Sequence, residues 1–172
     1  MGVRPSCPRK TQNSMKAIII CVSVHHGNTK KVARAIAEVL GAEVLGPEEV
    51  EVERLRDYDL IGFGSGIYFE RPHRRVLSFV EKLPPLEGKG AFIFSTRGAG
   101  PAGLYHRPLR KKLLKKGFRI VGEFSCKGFD TVGPLKLFGG INKGRPNEED
   151  LRRAREFAEG LKAQVEGGMD YA

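Results

Sequence analysis

Seven residues near the start of the chain bring together side chains suited to chemistry: Ser23, Val24, His25, His26, Gly27, Asn28 and Thr29. Hydroxyl, imidazole and amide groups at that density can give several hydrogen bonds to one anion. A glycine among them lets the backbone close around it. The stretch follows Ala17-Ile18-Ile19-Ile20-Cys21-Val22, an apolar, β-branched run of strand length. It precedes Lys30-Lys31-Val32-Ala33-Arg34-Ala35-Ile36, where apolar residues recur at helical spacing. A helix that starts there aims its free N–H groups and positive dipole end back at the turn, which suits a phosphate.

Two later segments share this character. Ser65, Gly66, Ile67, Tyr68 and Phe69 follow the apolar run Leu60–Phe63 and Gly64. Thr96, Arg97, Gly98 and Gly100 follow Ala91–Phe94 and Ser95. Carried on the ends of neighbouring parallel strands, the three segments converge on one crevice. Their backbone groups can read the edge of a flat polar ring with a phosphate tail, and Tyr68 or Phe69 can stack on its face.

Other patterns carry less. Gly98-Ala99-Gly100-Pro101-Ala102-Gly103 fits the G-x-G-x-x-G dinucleotide fingerprint, with Glu123 twenty residues past its last glycine. Against it, Ser95-Thr96-Arg97 separates the glycines from the apolar strand. Pro108 also suits a helix that starts near His106 better than one that starts at Gly100. There is no G-x-x-x-x-G-K-[ST] run, and Asp57 and Asp59 precede their strand, the wrong end for a phosphoacceptor. His25, His26, His73 and His106 lack the carboxylate or thiolate spacing of a metal site, so no metal is expected. Cys126 reads as an inert thiol, and no catalytic residue stands out.

The elements that must hold these segments alternate. Strands are expected at 17–22, 42–45, 60–63, 91–94 and 118–124. Helices are expected after residue 30, weakly over 47–58, around 76–83, around 109–114, and from Asn147 through Val165. This pattern gives a doubly wound α/β fold with a five-stranded parallel sheet in the order 2-1-3-4-5. Its crevice lies beyond the carboxyl ends of strands 1, 3 and 4. Arg119 and Glu123 alternate with apolar residues and mark strand 5 as an edge. Residues 1–14 read as a disordered extension, 15–166 as one domain and 167–172 as a tail. The Gly- and Pro-rich stretch from Cys126 to Asn147 reads as a cover over the crevice or a partner surface.

The 172 residues carry 30 Lys and Arg against 20 Asp and Glu, a net charge of +10, and Arg4, Arg9 and Lys10 account for three of these charges. The balance favours acidic partners or anionic ligands. Residues 107–119 hold seven cations and no acid, yet no aromatic platform or reading motif accompanies them, which argues against nucleic acid. Three cysteines form no framework, and no stretch reaches the length of a membrane span; a cytoplasmic setting is expected.

The phosphate-type loop Ser-Val-His-His-Gly-Asn-Thr gives a more specific reading. From Met15 to about Val165 the chain resembles the flavodoxin family of FMN-binding proteins, whose first loop is Ser/Thr-rich and ends in Gly-Asn-Thr. It is most similar to small members with this His-His loop, a Cys-Lys-Gly-Phe-Asp-Thr segment (126–131) and an Asn-Glu-Glu-Asp helix start (147–150). His26 stands where many flavodoxins place a hydroxyl. The resemblance implies that residues 23–29 hold the FMN phosphate, with Asn28 and Thr29 as side-chain donors. It implies a ring held between 65–69 and 96–100. The implied function is FMN-dependent redox chemistry, either as an electron carrier between proteins or as a two-electron reductase of a small acceptor such as a quinone. A flavodoxin-like interaction domain without flavin is the alternative. His25, His26, Arg71, His73, Arg74, Arg75, Arg97 and His106, against Glu70 alone, predict a positive crevice that stabilises an anionic reduced flavin.

Overall fold

A computed structural model describes residues 14–131 and 133–167. The expected extension, apart from Ser14, and all but the first residue of the expected tail lie outside them. The strands are β1 (Ala17–Val22), β2 (Glu43–Leu45), β3 (Leu60–Tyr68), β4 (Arg71–Pro72), β5 (Gly90–Arg97) and β6 (Arg119–Lys127). The sheet order is β2-β1-β3-β5-β6. All neighbours on that path are parallel. This is the expected doubly wound order. The short β4 is added by a hairpin that folds back antiparallel on the end of β3.

The apolar strands are buried on both faces, as parallel strands between helical layers must be. On one face α1 (Asn28–Leu40) and α4 (Glu148–Glu166) cover Ile19, Phe92 and Phe94 with Ala33, Ile36, Ala154 and Ala158. On the other, α2 (Arg74–Lys82) and α3 (Ala102–Lys115) cover Ile20, Phe63 and Ile93 with Val76, Val80, Leu109 and Leu113. Gly62 and Gly64 lie under the Phe92 and Phe94 rings, which take the space a Cβ would need. That contact accounts for the Leu-Ile-Gly-Phe-Gly spelling of β3. Asn147 begins α4 with a reciprocal capping box: its side chain accepts from Asp150 N, and Asp150 accepts from Asn147 N, both at 3.0 Å.

Register sets the site. Val22 pairs with Ser65, Ser65 with Ser95, and Ser95 with Ser125, so one row crosses four strands. Whatever follows that row emerges at one end of the sheet. In β6, Ala91 pairs with Ile120 and Phe92 with Gly122, leaving Val121 as a bulge.

Several elements differ from expectation. Residues 47–58 form two 3-10 turns, Pro47–Glu49 and Val52–Asp57, anchored by buried Leu55, and not one weak helix. β3 and β5 run on through residues read as loop, because ladder pairing to each other extends to Gly66 and Thr96. α3 begins at Ala102, after left-handed Gly100 (φ 86°), with Pro108 inside it. The N–H that proline lacks would have met the carbonyl of Leu104, an exposed residue, so the missing bond falls on the wet side of the helix. β5 therefore leads straight into Gly98, and the spacing objection to the dinucleotide fingerprint does not hold. Its acidic partner is committed elsewhere, however: Glu123 is bonded to His106 and Arg110.

Candidate functional site

Beyond the serine row a slot opens, lined by His25 from the β1–α1 turn and Asn28 at the start of α1, Gly66, Ile67 and Tyr68 from β3, Thr96 and Arg97 from β5 with Gly98 just after it, and Gly128, Phe129 and Asp130 after β6. It spans about 320 Å³, including the part open to solvent. The β1–α1 turn owes its shape to consecutive left-handed residues, His26 (φ 53°) and Gly27 (φ 65°). They bring the chain round so that α1 starts at Asn28 with its N-terminus toward the slot.

The three predicted segments thus converge, but not every predicted residue faces the slot. Asn28 Nδ2 donates to the Phe129 carbonyl at 2.8 Å, and the Thr29 hydroxyl is bonded to that of Thr96 at 2.8 Å. These two side chains tie the turn to its surroundings. Ser23 Oγ lies 3.4 Å from Lys30 N, and His26 Nε2 is bonded to Thr131 Oγ1 at 2.9 Å while its ring packs on Phe129. Ser65 is buried on the α2 side, donating to the Gly66 carbonyl and accepting from His73 N. Phe69 is 89% exposed at the hairpin tip, and Gly100 packs on Tyr105. Of the two candidate stacking rings, Tyr68 lines the slot, wedged between His25 and His73 at 5.5 Å from each. Burial raises its pKa and keeps the phenol protonated.

The expected cluster of cations also separates. Among its members only His25 and Arg97 line the slot. Arg75 is bonded to Glu48, and His106 is buried away from solvent. Arg97 is the pointed feature: its Nε is buried and has no hydrogen-bond acceptor. An orphaned donor of this kind costs free energy unless a ligand supplies the acceptor.

His106 belongs to a different construction. Its Nδ1 donates to Glu123 Oε2 at 3.0 Å, which leaves Nε2 to accept from Ser95 Oγ at 2.7 Å; Ser125 Oγ is 2.9 Å from Ser95 Oγ. Burial lowers the His106 pKa in spite of Glu123, in keeping with a neutral ring. The Ser–His–Glu geometry resembles a nucleophile set. Ser95 is 1% exposed, so no substrate reaches it, and the chain of bonds ties α3 to β5 and β6. Cys126 lies in the α1/α4 core with its pKa pushed up to about 12 by burial, an inert thiol. Among the described residues no three His, Cys, Asp or Glu side chains gather as a metal site, and no helix is long and apolar enough to cross a membrane.

Residues 128–131 fall in the stretch that the sequence marks as a cover or a partner surface, and Gly128, Phe129 and Asp130 line the slot itself. Phe129 N donates to the Arg145 carbonyl at 2.9 Å, Asp130 bridges Ile141, and Asn142 Nδ2 donates to the Gly98 carbonyl at 2.7 Å. These bonds bring the segment down onto the slot.

The flavodoxin domain family matches residues 19–127. The chain belongs to the flavodoxin family. An uncharacterized protein of Methanocaldococcus jannaschii is 48% identical over 148 residues, covering 86% of this chain and 98% of that one. The structure of an archaeal flavodoxin matches with a TM-score of 0.61 at 18% identity, over 88% of this chain and 99% of that one. The rubredoxin oxygen:oxidoreductase of Desulfovibrio gigas matches at 0.67 and 15% identity, over 91% of this chain but 37% of that one. At such identities the likeness is one of fold. Family membership supports an FMN-binding redox protein in general terms.

The flavodoxin domain also carries a pH-sensitive joint beside the slot. His73 caps α2, its Nδ1 accepting from Arg75 N at 3.1 Å, and its pKa is lowered by burial and by Arg75, Arg74 and His25. A histidine held below its unfolded value of about 6.5 leaves stability intact above that pH and removes it as the pH falls. His73→Asn keeps a capping acceptor and removes the titration. Its melting temperature should match the parent near pH 7.5 and fall less by pH 5.5. An equal fall in both proteins would show that His73 does not contribute.

Proposed function

We propose that this chain is an FMN-dependent redox protein suited to a two-electron reductase of a small acceptor such as a quinone, or to a carrier of relatively high potential. FMN, when bound, supplies a ring that accepts electrons and passes them on. The chain's residues supply the rest. The first N–H groups of α1 and the 23–29 turn bind the phosphate. Tyr68 offers a ring face, and Gly66 and Gly98 offer backbone. Residues 128–131 keep water from the slot.

The observation that carries this reading is Arg97, a cation with a buried N–H and no acceptor, aimed at the ligand slot. Positive charge there favours an electron-rich, anionic ligand state. The donor set fits FMN: the N-terminus of α1, the Arg97 N–H and the backbone of Gly66 and Gly98 all border the slot. Val24, Phe69, Leu137 and Phe138 are exposed on segments that border the slot or its cover, which favours an apolar acceptor.

Purified protein should be yellow or take up added FMN, and cofactor released by heat should chromatograph as FMN. Recovery of FAD would overturn the mononucleotide reading. Failure to bind any flavin would leave the interaction-domain alternative.

A further inference from the structure

We propose that the solvent-facing ridge of α3 is a docking surface for an acidic protein segment that also carries apolar side chains. The inference stands apart from the flavin reading, since it uses no residue of the slot. α3 buries His106, Leu109 and Leu113. The opposite side of the same helix carries Leu104, Arg107, Lys111, Leu114 and Lys115, all exposed. Arg107, Lys111 and Lys115 follow one another at four-residue intervals and form a single row. Leu104 and Leu114, 49% and 54% exposed, sit toward its two ends.

The other cations of the helix are matched. Arg110 is bonded to Glu123 and Lys112 to Glu81, and Lys116 donates to the carbonyls of Glu81 and Leu83. Among the described residues the three ridge cations have no such partner. Like charges one turn apart on a helix destabilise it. A ridge that keeps three of them in line, without a single acid on the helix, is relieved by carboxylates brought from outside. Such carboxylates would be spaced by about 5–6 Å. Phosphates could meet the cations too, but they gain nothing from two exposed leucines and find no aromatic platform here. The leucines select a partner with apolar groups beside its acids. At about 1.5 Å per residue the ridge from Leu104 to Lys115 is about 16 Å long, enough for three turns of a helix or a short extended strand.

The probe is a fluorescent helical peptide with Glu at three successive four-residue positions flanked by Leu, titrated by anisotropy and mapped by amide NMR shifts at about 0.15 M salt. It should bind, with shifts centred on Leu104–Lys115. Lys111→Glu and Leu114→Ser should each weaken it by about tenfold with melting temperature unchanged, since both side chains are exposed. The proposal is overturned if the peptide with Leu replaced by Ser binds equally well, if the shifts fall elsewhere, or if no binding is seen. Tighter binding of a short DNA duplex, or of phosphatidylserine vesicles, overturns it in favour of those partners. Self-association through this ridge in sedimentation assigns the surface to a second copy and overturns it likewise.

Discussion

Arg97→Gln is expected to lower the two-electron midpoint potential of the FMN-loaded protein by about 30–60 mV. A unit charge about 6 Å from a charge that develops on reduction contributes roughly 1.5–3 kcal/mol at the effective dielectric of a partly open site. For a two-electron couple about 30 mV corresponds to 1.4 kcal/mol. Arg97 lines the slot with its Nε buried and without an acceptor, and the Asp130 carboxylate of the same lining offsets part of its charge, which places the expected shift toward the lower end of that range. Arg97→Lys keeps the charge without the planar fork and should fall between the two. Because the buried Nε makes no hydrogen bond to the fold, the melting temperature of the flavin-free protein should barely move. A spectroelectrochemical titration reads the shift. An unchanged midpoint in the Gln variant would show that the charge does not reach the ring.

Asp150→Ala should be the most damaging single change away from the slot. The carboxylate is fully buried, closes the α4 capping box, and takes a hydrogen bond from Arg145 Nη2 at 2.6 Å. Arg145 Nε also comes within 2.5 Å of Oδ2, though too far off line to count as a second hydrogen bond. Removing one member of a buried pair leaves the other uncompensated and costs about 3–5 kcal/mol. For a domain of this size that lowers the melting temperature by roughly 10 °C. The damage should spread to the slot, because the Arg145 carbonyl holds Phe129 N. Hydrogen exchange at the Phe129 amide should therefore speed up more than at Ile19 or Ile93. Asp150→Asn retains an acceptor for the cap and should lose less. A melting temperature within a few degrees of the parent in the Ala variant would mean that the pair contributes little.

The sheet was legible because each parallel strand declares itself by a short β-branched or aromatic run, and the crossover rule leaves few orders. The converging loops followed from that order. What was not legible lies in the alternation along each strand and in distant pairings. Ser65 reads as loop, yet β3 continues through it and turns its hydroxyl to the α2 side, where it meets His73. His106 counts among the cations that follow the strand ends in sequence, but its spacing to Leu109 and Leu113 places it on the buried stripe of α3. Asn28 and Phe129 lie 101 residues apart, and no local pattern announces that the amide holds the cover. Phe129 and Asp130 entered the site the same way, by tertiary contact alone.

The bulge at Val121 has a consequence at high protein concentration. An open sheet has two edges, and an exposed flat edge invites pairing with another chain. Here β2 offers only three residues. β6 is longer, but the bulge breaks its ladder a third of the way along and charged Arg119 and Lys127 stand at its ends. Neither edge presents a long, regular row of backbone groups. Deleting Val121 would straighten β6 and put this protection against aggregation at risk.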